Sequence, residues 1–72
     1  MGKDAIINQI RNLRFHHNEM TQQQLAEQAG VTRQTIVSIE KGNYSPSLEL
    51  AFRIARVFGK PLEEVFQYED KQ

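Results

Sequence analysis

The sequence predicts a single all-α domain of five short helices, and three observations carry that prediction. Apolar residues recur at helical spacing along nearly the whole chain. Within residues 21–42, two such helices follow each other across a tight turn, each opened by a threonine placed to cap it. Residues 48–58 are apolar on almost every side, as a helix at the centre of a small bundle would be. A chain of 72 residues has room for one domain, spanning residues 1–72, and buries only a modest core.

Taken in order, the first helix is expected over residues 9–17, with Ile10 and Leu13 on one side. Thr21 caps the second, and Gln24 three residues later completes a capping-box pattern. Leu25, Ala26 and Ala29 form one narrow apolar stripe, whose small alanines let another helix come close. Gly30 suits the left-handed residue that ends a helix, and Val31 plugs the turn. Thr32 caps the third helix, whose Ile36 and Ile39 face back toward Leu25 and Ala29. Residues 43–46 form a loop, since Pro46 biases Ser45 away from the helical region. Ser47 caps the fourth helix, and the breadth of its apolar surface predicts that it is the most buried. Gly59 ends it, and Pro61 suits the first turn of a short fifth helix from Leu62 to about Val65. Two β-prone runs break the pattern, Ala5-Ile6-Ile7 and Val65-Phe66-Gln67-Tyr68. A lone strand would leave backbone groups unpaired. The ends are therefore expected to pair with each other or between subunits, the alternative being a frayed helix with Phe66 tucked into the core.

The formal net charge is zero, but its distribution is uneven. Residues 32–60 hold Arg33, Lys41, Arg53, Arg56 and Lys60 against Glu40 and Glu49, a net +3. Residues 61–72 hold Glu63, Glu64, Glu69 and Asp70 against Lys71, a net −3. A neutral total predicts weak non-specific affinity for nucleic acid, because few phosphates are neutralised per subunit. The absence of cysteine excludes disulfides and thiolate metal sites. Adjacent His16 and His17 project in different directions with no carboxylate or thiol to complete a ligand set, so no metal is expected. No Ser, His and Asp arrangement or glycine-rich phosphate loop appears, which argues against an enzyme, a cofactor or a small-molecule effector. No stretch approaches membrane-spanning length, and a cytoplasmic protein is expected.

Residues 21–42 therefore read as a helix-turn-helix, the layout that sets its second helix in the major groove of double-stranded DNA. Arg33, Gln34, Val37, Ser38 and Lys41 point outward from that helix. Arg33 can fork onto guanine O6 and N7 or grip a phosphate, and Gln34 can bond adenine in bidentate fashion. Val37 suits a thymine methyl or packs peripherally on the second helix. Ser38 either permits close groove approach or is a plain surface serine. Gln22 opens the second helix, where its side chain and free N–H groups can meet a phosphate. Thr32 adds a phosphate bond beyond its cap role. Lys41, Asn43 and Tyr44 follow the recognition helix and fit a backbone clamp, with Tyr44 equally suited to packing or a dimer contact.

This stretch resembles the helix-turn-helix of the Xre family, the Cro and C1 repressor type. The resemblance lies in Thr21-Gln22, Leu25-Ala26, the Ala29-Gly30-Val31-Thr32 turn, Arg33-Gln34-Thr35-Ile36 and Ile39-Glu40-Lys41-Gly42. It continues through Tyr44-Ser45-Pro46-Ser47-Leu48, Ile54-Ala55 and Pro61-Leu62-Glu63-Glu64-Val65-Phe66, and so covers nearly the whole chain. Within the family the chain looks most like small single-domain dimeric repressors of the cytolysin-regulator type. The resemblance implies a lambda-repressor-like five-helix DNA-binding domain whose two ends form a small antiparallel sheet. It also assigns base contact to Gln34 and pairs Glu40 with an arginine late in the first helix, here Arg14. One departure is an extra residue between Arg14 and Thr21, expected to fall in the loop and to leave Arg14 in register.

The resulting expectation is a homodimeric transcriptional regulator, a repressor on a pseudo-palindromic operator. One recognition helix per subunit would enter successive major grooves about 34 Å apart. Residues 60–69 are the expected dimerisation segment, with Leu62, Val65, Phe66 and Tyr68 at the interface. The alternative is an antitoxin-like module that holds a protein partner and also binds DNA. The tail Glu69-Asp70-Lys71-Gln72 is too short to wrap such a partner.

Overall fold

Elements run in the order β1 (Ile6–Asn8), α1 (Ile10–Phe15), α2 (Gln22–Ala29), α3 (Arg33–Glu40), α4 (Leu48–Phe58), α5 (Leu62–Val65) and β2 (Phe66–Tyr68) in the computed structural model, which describes residues 6–68. Local hydrogen bonds set most helix ends. The Thr21 hydroxyl accepts from the Gln24 amide at 3.0 Å, and the Thr21 amide donates to Gln24 Oε1 at 2.9 Å, closing the capping box. Thr32 and Ser47 accept from the amides of Thr35 and Leu50, at 3.2 and 3.1 Å. Each such cap contributes about 1 kcal/mol. Gly30 and Gly59 end α2 and α4 in the left-handed conformation, with φ of 78° and 65°.

The core gathers Leu25, Ala26 and Ala29 of α2, Ile36 and Ile39 of α3, and Leu50, Ile54, Ala55 and Phe58 of α4. Ile10 and Val65, toward the two ends of the chain, and Met20, in the loop before α2, close it. Small residues in α2 meet Ile36 and Ile39 in α3, so the two helices of the turn pack closely. No helix among the described residues is long and apolar enough to cross a membrane.

β1 and β2 pair antiparallel, with Ile6 opposite Tyr68, Ile7 opposite Gln67 and Asn8 opposite Phe66. The ends thus pair within one subunit. Ala5 and the tail residues 69–72 lie outside the described residues.

Three expectations are corrected. The first helix stops at Phe15 rather than His17, because Asn18 and Glu19 take left-handed backbone, φ 59° and 53°, and turn the chain back. The extra residue before Thr21 is absorbed there. The fourth helix does bury more side chains than any other, Leu50, Ala51, Ile54, Ala55 and Phe58, but it is not covered all round: it packs on α2 and α5, while Leu48 stays 67% exposed and Phe52 is also exposed. Val65 is no surface residue. It ends α5 wholly inside the core, and its carbonyl accepts from the Gln9 amide at 2.9 Å.

Candidate nucleic-acid interface

The turn between α2 and α3 is built from both sides. Gly30 donates to the Ala26 carbonyl and Val31 donates to the same carbonyl at 2.9 Å, which ends α2 abruptly. From α4, Arg53 Nη1 donates to the Ala29 carbonyl at 3.1 Å, while its Nη2 donates to Glu49 Oε2 at 3.0 Å. A carbonyl that α2 cannot satisfy internally thereby gains a charged donor. The end of α2 is thereby tied to the central helix.

The far end of α3 is held by a mostly buried ion pair. Arg14 Nε donates to Glu40 Oε2 at 2.7 Å and Nη2 to Oε1 at 3.2 Å, with the side chains 15% and 9% exposed. Arg14 Nη1 also donates to the Met20 carbonyl at 2.8 Å, so one guanidinium joins α1, the loop before α2 and the last turn of α3. Its fork geometry matches the carboxylate. Register at Arg14 survives the extra loop residue.

Between these anchors α3 presents its outer face. Arg33 and Gln34 are exposed in its first turn, with no hydrogen bond recorded to either side chain among the described residues. Val37 and Ser38, one turn later, are half-buried. Lys41, Asn43 and Tyr44 are exposed beyond it. Thr32 is exposed too, but its hydroxyl oxygen already accepts from the Thr35 amide and lies 3.1 Å from the Thr35 hydroxyl. Gln22 is turned differently from the sequence expectation: its Nε2 donates to Glu40 Oε1 at 3.2 Å, which draws the amide into the ion pair. The free N–H groups of the first turn of α2 are then what this helix offers an anion.

Gln22, Val37 and Lys41 share a groove of about 580 Å³ with Arg11 and Arg14. Arg11 has no sequence motif of its own. Its position three residues before Arg14 on a helix is the signal that places both on one face. Arg53 carries no local signal, because its partner carbonyl lies 24 residues away.

A second surface involves the residues expected at a dimer contact. Leu62 and Phe66 are half-buried and Tyr68 is 73% exposed. Together with Ile6, Pro46 and Leu48 they line a largely apolar hollow of about 310 Å³ that shares no residue with the groove beside α3. Tyr44 lies beside this hollow, in a small cleft with Ile39, Ile6 and Phe66.

Comparison with known proteins agrees with this geometry. The family model described as Helix-turn-helix matches residues 9–65. The chain is 52% identical over 65 residues to an uncharacterised HTH-type transcriptional regulator of Methanocaldococcus jannaschii, covering 90% of this chain and 97% of the relative. It is 36% identical over 56 residues to the cryptic phage CTXphi transcriptional repressor RstR of Vibrio cholerae, covering 78% of this chain and 50% of the repressor. In fold it is similar to the crystal structure of a candidate DNA-binding protein from Bacteroides fragilis, with a TM-score of 0.74, 22% identity, and coverage of 86% and 98% of the two chains.

Proposed function

The chain belongs to the helix-turn-helix family of transcriptional regulators, of the Xre and Cro/C1 type, and from that premise we propose that it is a cytoplasmic homodimeric repressor that occupies a pseudo-palindromic DNA operator. The family is a non-enzymatic, DNA-binding class. The observation that carries the reading is the outer face of α3. Arg33 and Gln34 stand exposed and uncommitted at its start, while Arg53 ties the end of α2 before the turn to α4 and the Arg14–Glu40 pair holds the last turn of α3. Side chains of these types suit base edges in the major groove, and a helix held in place leaves only the side chains themselves to be ordered on binding.

Roles follow from position. Arg33 and Gln34 read bases, with Val37 and Ser38 lining the approach. Lys41, Asn43, Tyr44 and Thr32 contact phosphates, and α2 offers its first N–H groups beside Gln22. The apolar hollow of Leu62, Phe66 and Tyr68, within residues 60–69, joins a second subunit, and Val65 supports it from inside. Repression then comes from excluding polymerase at the occupied site. The similarity to RstR, a transcriptional repressor, supports that sign.

A selection from random duplex oligonucleotides tests the reading directly. The expected product is a short sequence with two-fold symmetry, its half-sites about one helical turn apart. Enrichment of no duplex would overturn the DNA-reading role and favour a protein-binding module instead.

A further inference from the structure

Asn8 is the residue at which the terminal sheet, α1 and the recognition helix meet. Its backbone pairs with Phe66 in the sheet. Its side-chain Oδ1 accepts from the Ile10 amide at 3.2 Å, and its Nδ2 donates to the Ile39 carbonyl at 3.0 Å. The first bond starts α1, since Gln9 at the cap position makes no side-chain cap of its own. The second ends α3, on a carbonyl that also accepts from Gly42 at 3.0 Å. One half-buried amide therefore uses its donor and its acceptor on two different helices, 31 residues apart in the second case. Just beyond Ile39 and Glu40 come Lys41, Asn43 and Tyr44. The amides of Lys41 and Asn43 are themselves held by Val37 and Ser38 at 3.1 and 2.9 Å.

We infer that Asn8 is a positioning residue for DNA engagement: it fixes the last turn of the recognition helix, and the loop that follows, against the terminal sheet. The inference rests on the DNA-binding reading for its affinity readout alone. The neighbouring bonds make the sheet a firm support, because Gln9 donates to the Val65 carbonyl through its amide and to Gln67 Oε1 through its side chain, at 2.9 and 3.1 Å. Only the amide type serves both ends. Aspartate keeps an acceptor for Ile10 but sets a second oxygen against the Ile39 carbonyl. Serine keeps a shorter acceptor and cannot span to Ile39.

Asn8→Asp and Asn8→Ser therefore separate the two bonds. Amide hydrogen exchange on the full chain is expected to speed up at Lys41, Gly42 and Asn43 in both variants, with Leu13 and His16 in α1 unchanged. Affinity for the duplex selected by the unmodified protein is expected to fall roughly three- to tenfold, with the same preferred bases. Unchanged exchange at residues 41–43, faster exchange spread evenly over the chain, or full affinity despite a loosened loop would each overturn the inference. Local exchange needs no DNA. Should the unmodified protein select no duplex, the functional reading fails visibly and separately from the role of Asn8 in holding α3.

Discussion

Arg14 holds both carboxylate oxygens of Glu40, at 2.7 and 3.2 Å, across 26 residues of chain. A pair this far withdrawn from water is costly to break from one side, because the remaining charge keeps its desolvation penalty. Glu40→Ala is expected to destabilise the protein by on the order of 3 kcal/mol, measured by urea denaturation. Replacing Arg14 and Glu40 together should cost less than the two single losses combined. Strict additivity in that cycle would show that the pair contributes nothing as a pair.

The two helix-ending glycines should respond differently to alanine. Both have positive φ, which costs a residue with a Cβ about 1–2 kcal/mol. At Gly59 the new Cβ meets open space, so that strain is the whole effect. At Gly30 it would sit 3.3 Å from Arg53 Nη1, the atom that donates to the Ala29 carbonyl. Gly30→Ala is therefore expected to lose more stability than Gly59→Ala in the same denaturation assay. Equal losses would mean that Arg53 swings aside freely and does not anchor the turn.

Glu19 offers a change in the opposite direction. It holds a left-handed φ of 53° with a side chain poorly suited to it, directly after Asn18 at 59°. Glu19→Gly is expected to be neutral or to raise the unfolding midpoint, the relief of backbone strain outweighing the extra freedom of the unfolded chain. A clear loss of stability would show that the Glu19 side chain makes a contribution of its own.

What could be read from the residues alone divides along sequence distance. Thr21, Thr32 and Ser47 cap groups three positions away, so the starts of α2, α3 and α4 announce themselves locally. Gly30 and Gly59 end helices for a reason intrinsic to glycine. Arg53 and Asn8 instead satisfy carbonyls 24 and 31 residues distant, and no short pattern encodes such a pairing. Burial misled in both directions for the same cause. Leu48 and Val65 are alike in hydropathy, yet one faces out and the other fills the core, because α4 and α5 pack on neighbours that periodicity does not specify. Gln22 looked free at a helix start and is in fact held by Glu40, a tertiary partner.

The proposed dimer surface gives a prediction at Leu48 and Tyr68, both exposed and both on the apolar hollow. Leu48→Glu and Tyr68→Lys should leave helical content unchanged and shift sedimentation to the monomer mass, with operator affinity falling as avidity is lost. Truncation after Pro61 would not make the same point. It removes Val65 and the carbonyl that pairs with Gln9, so it is expected to unfold the chain rather than release a folded monomer. An intact dimer in both point variants would move the interface to another face.

Readout and grip should fail in different ways. Gln34 is exposed in the first turn of α3, whereas Lys41 follows its last turn and Arg11 lies across the groove on α1. An amide contributes to binding by matching a base edge, and a lone cation by neutralising phosphate. Gln34→Ala should therefore cost roughly 1–3 kcal/mol on the preferred site and relax the choice of base at one position per half-site. Lys41→Ala should weaken all sequences alike and reduce the slope of log affinity against log salt by about one per subunit. Arg11→Ala should follow Lys41 if the groove receives a phosphate, and should have no effect on the salt slope if it does not. Arg33→Ala will report which kind of contact it makes, by whether the base preference or the salt slope moves. A Gln34→Ala protein with the parent's full sequence preference would show that α3 does not read bases, whatever its affinity for DNA.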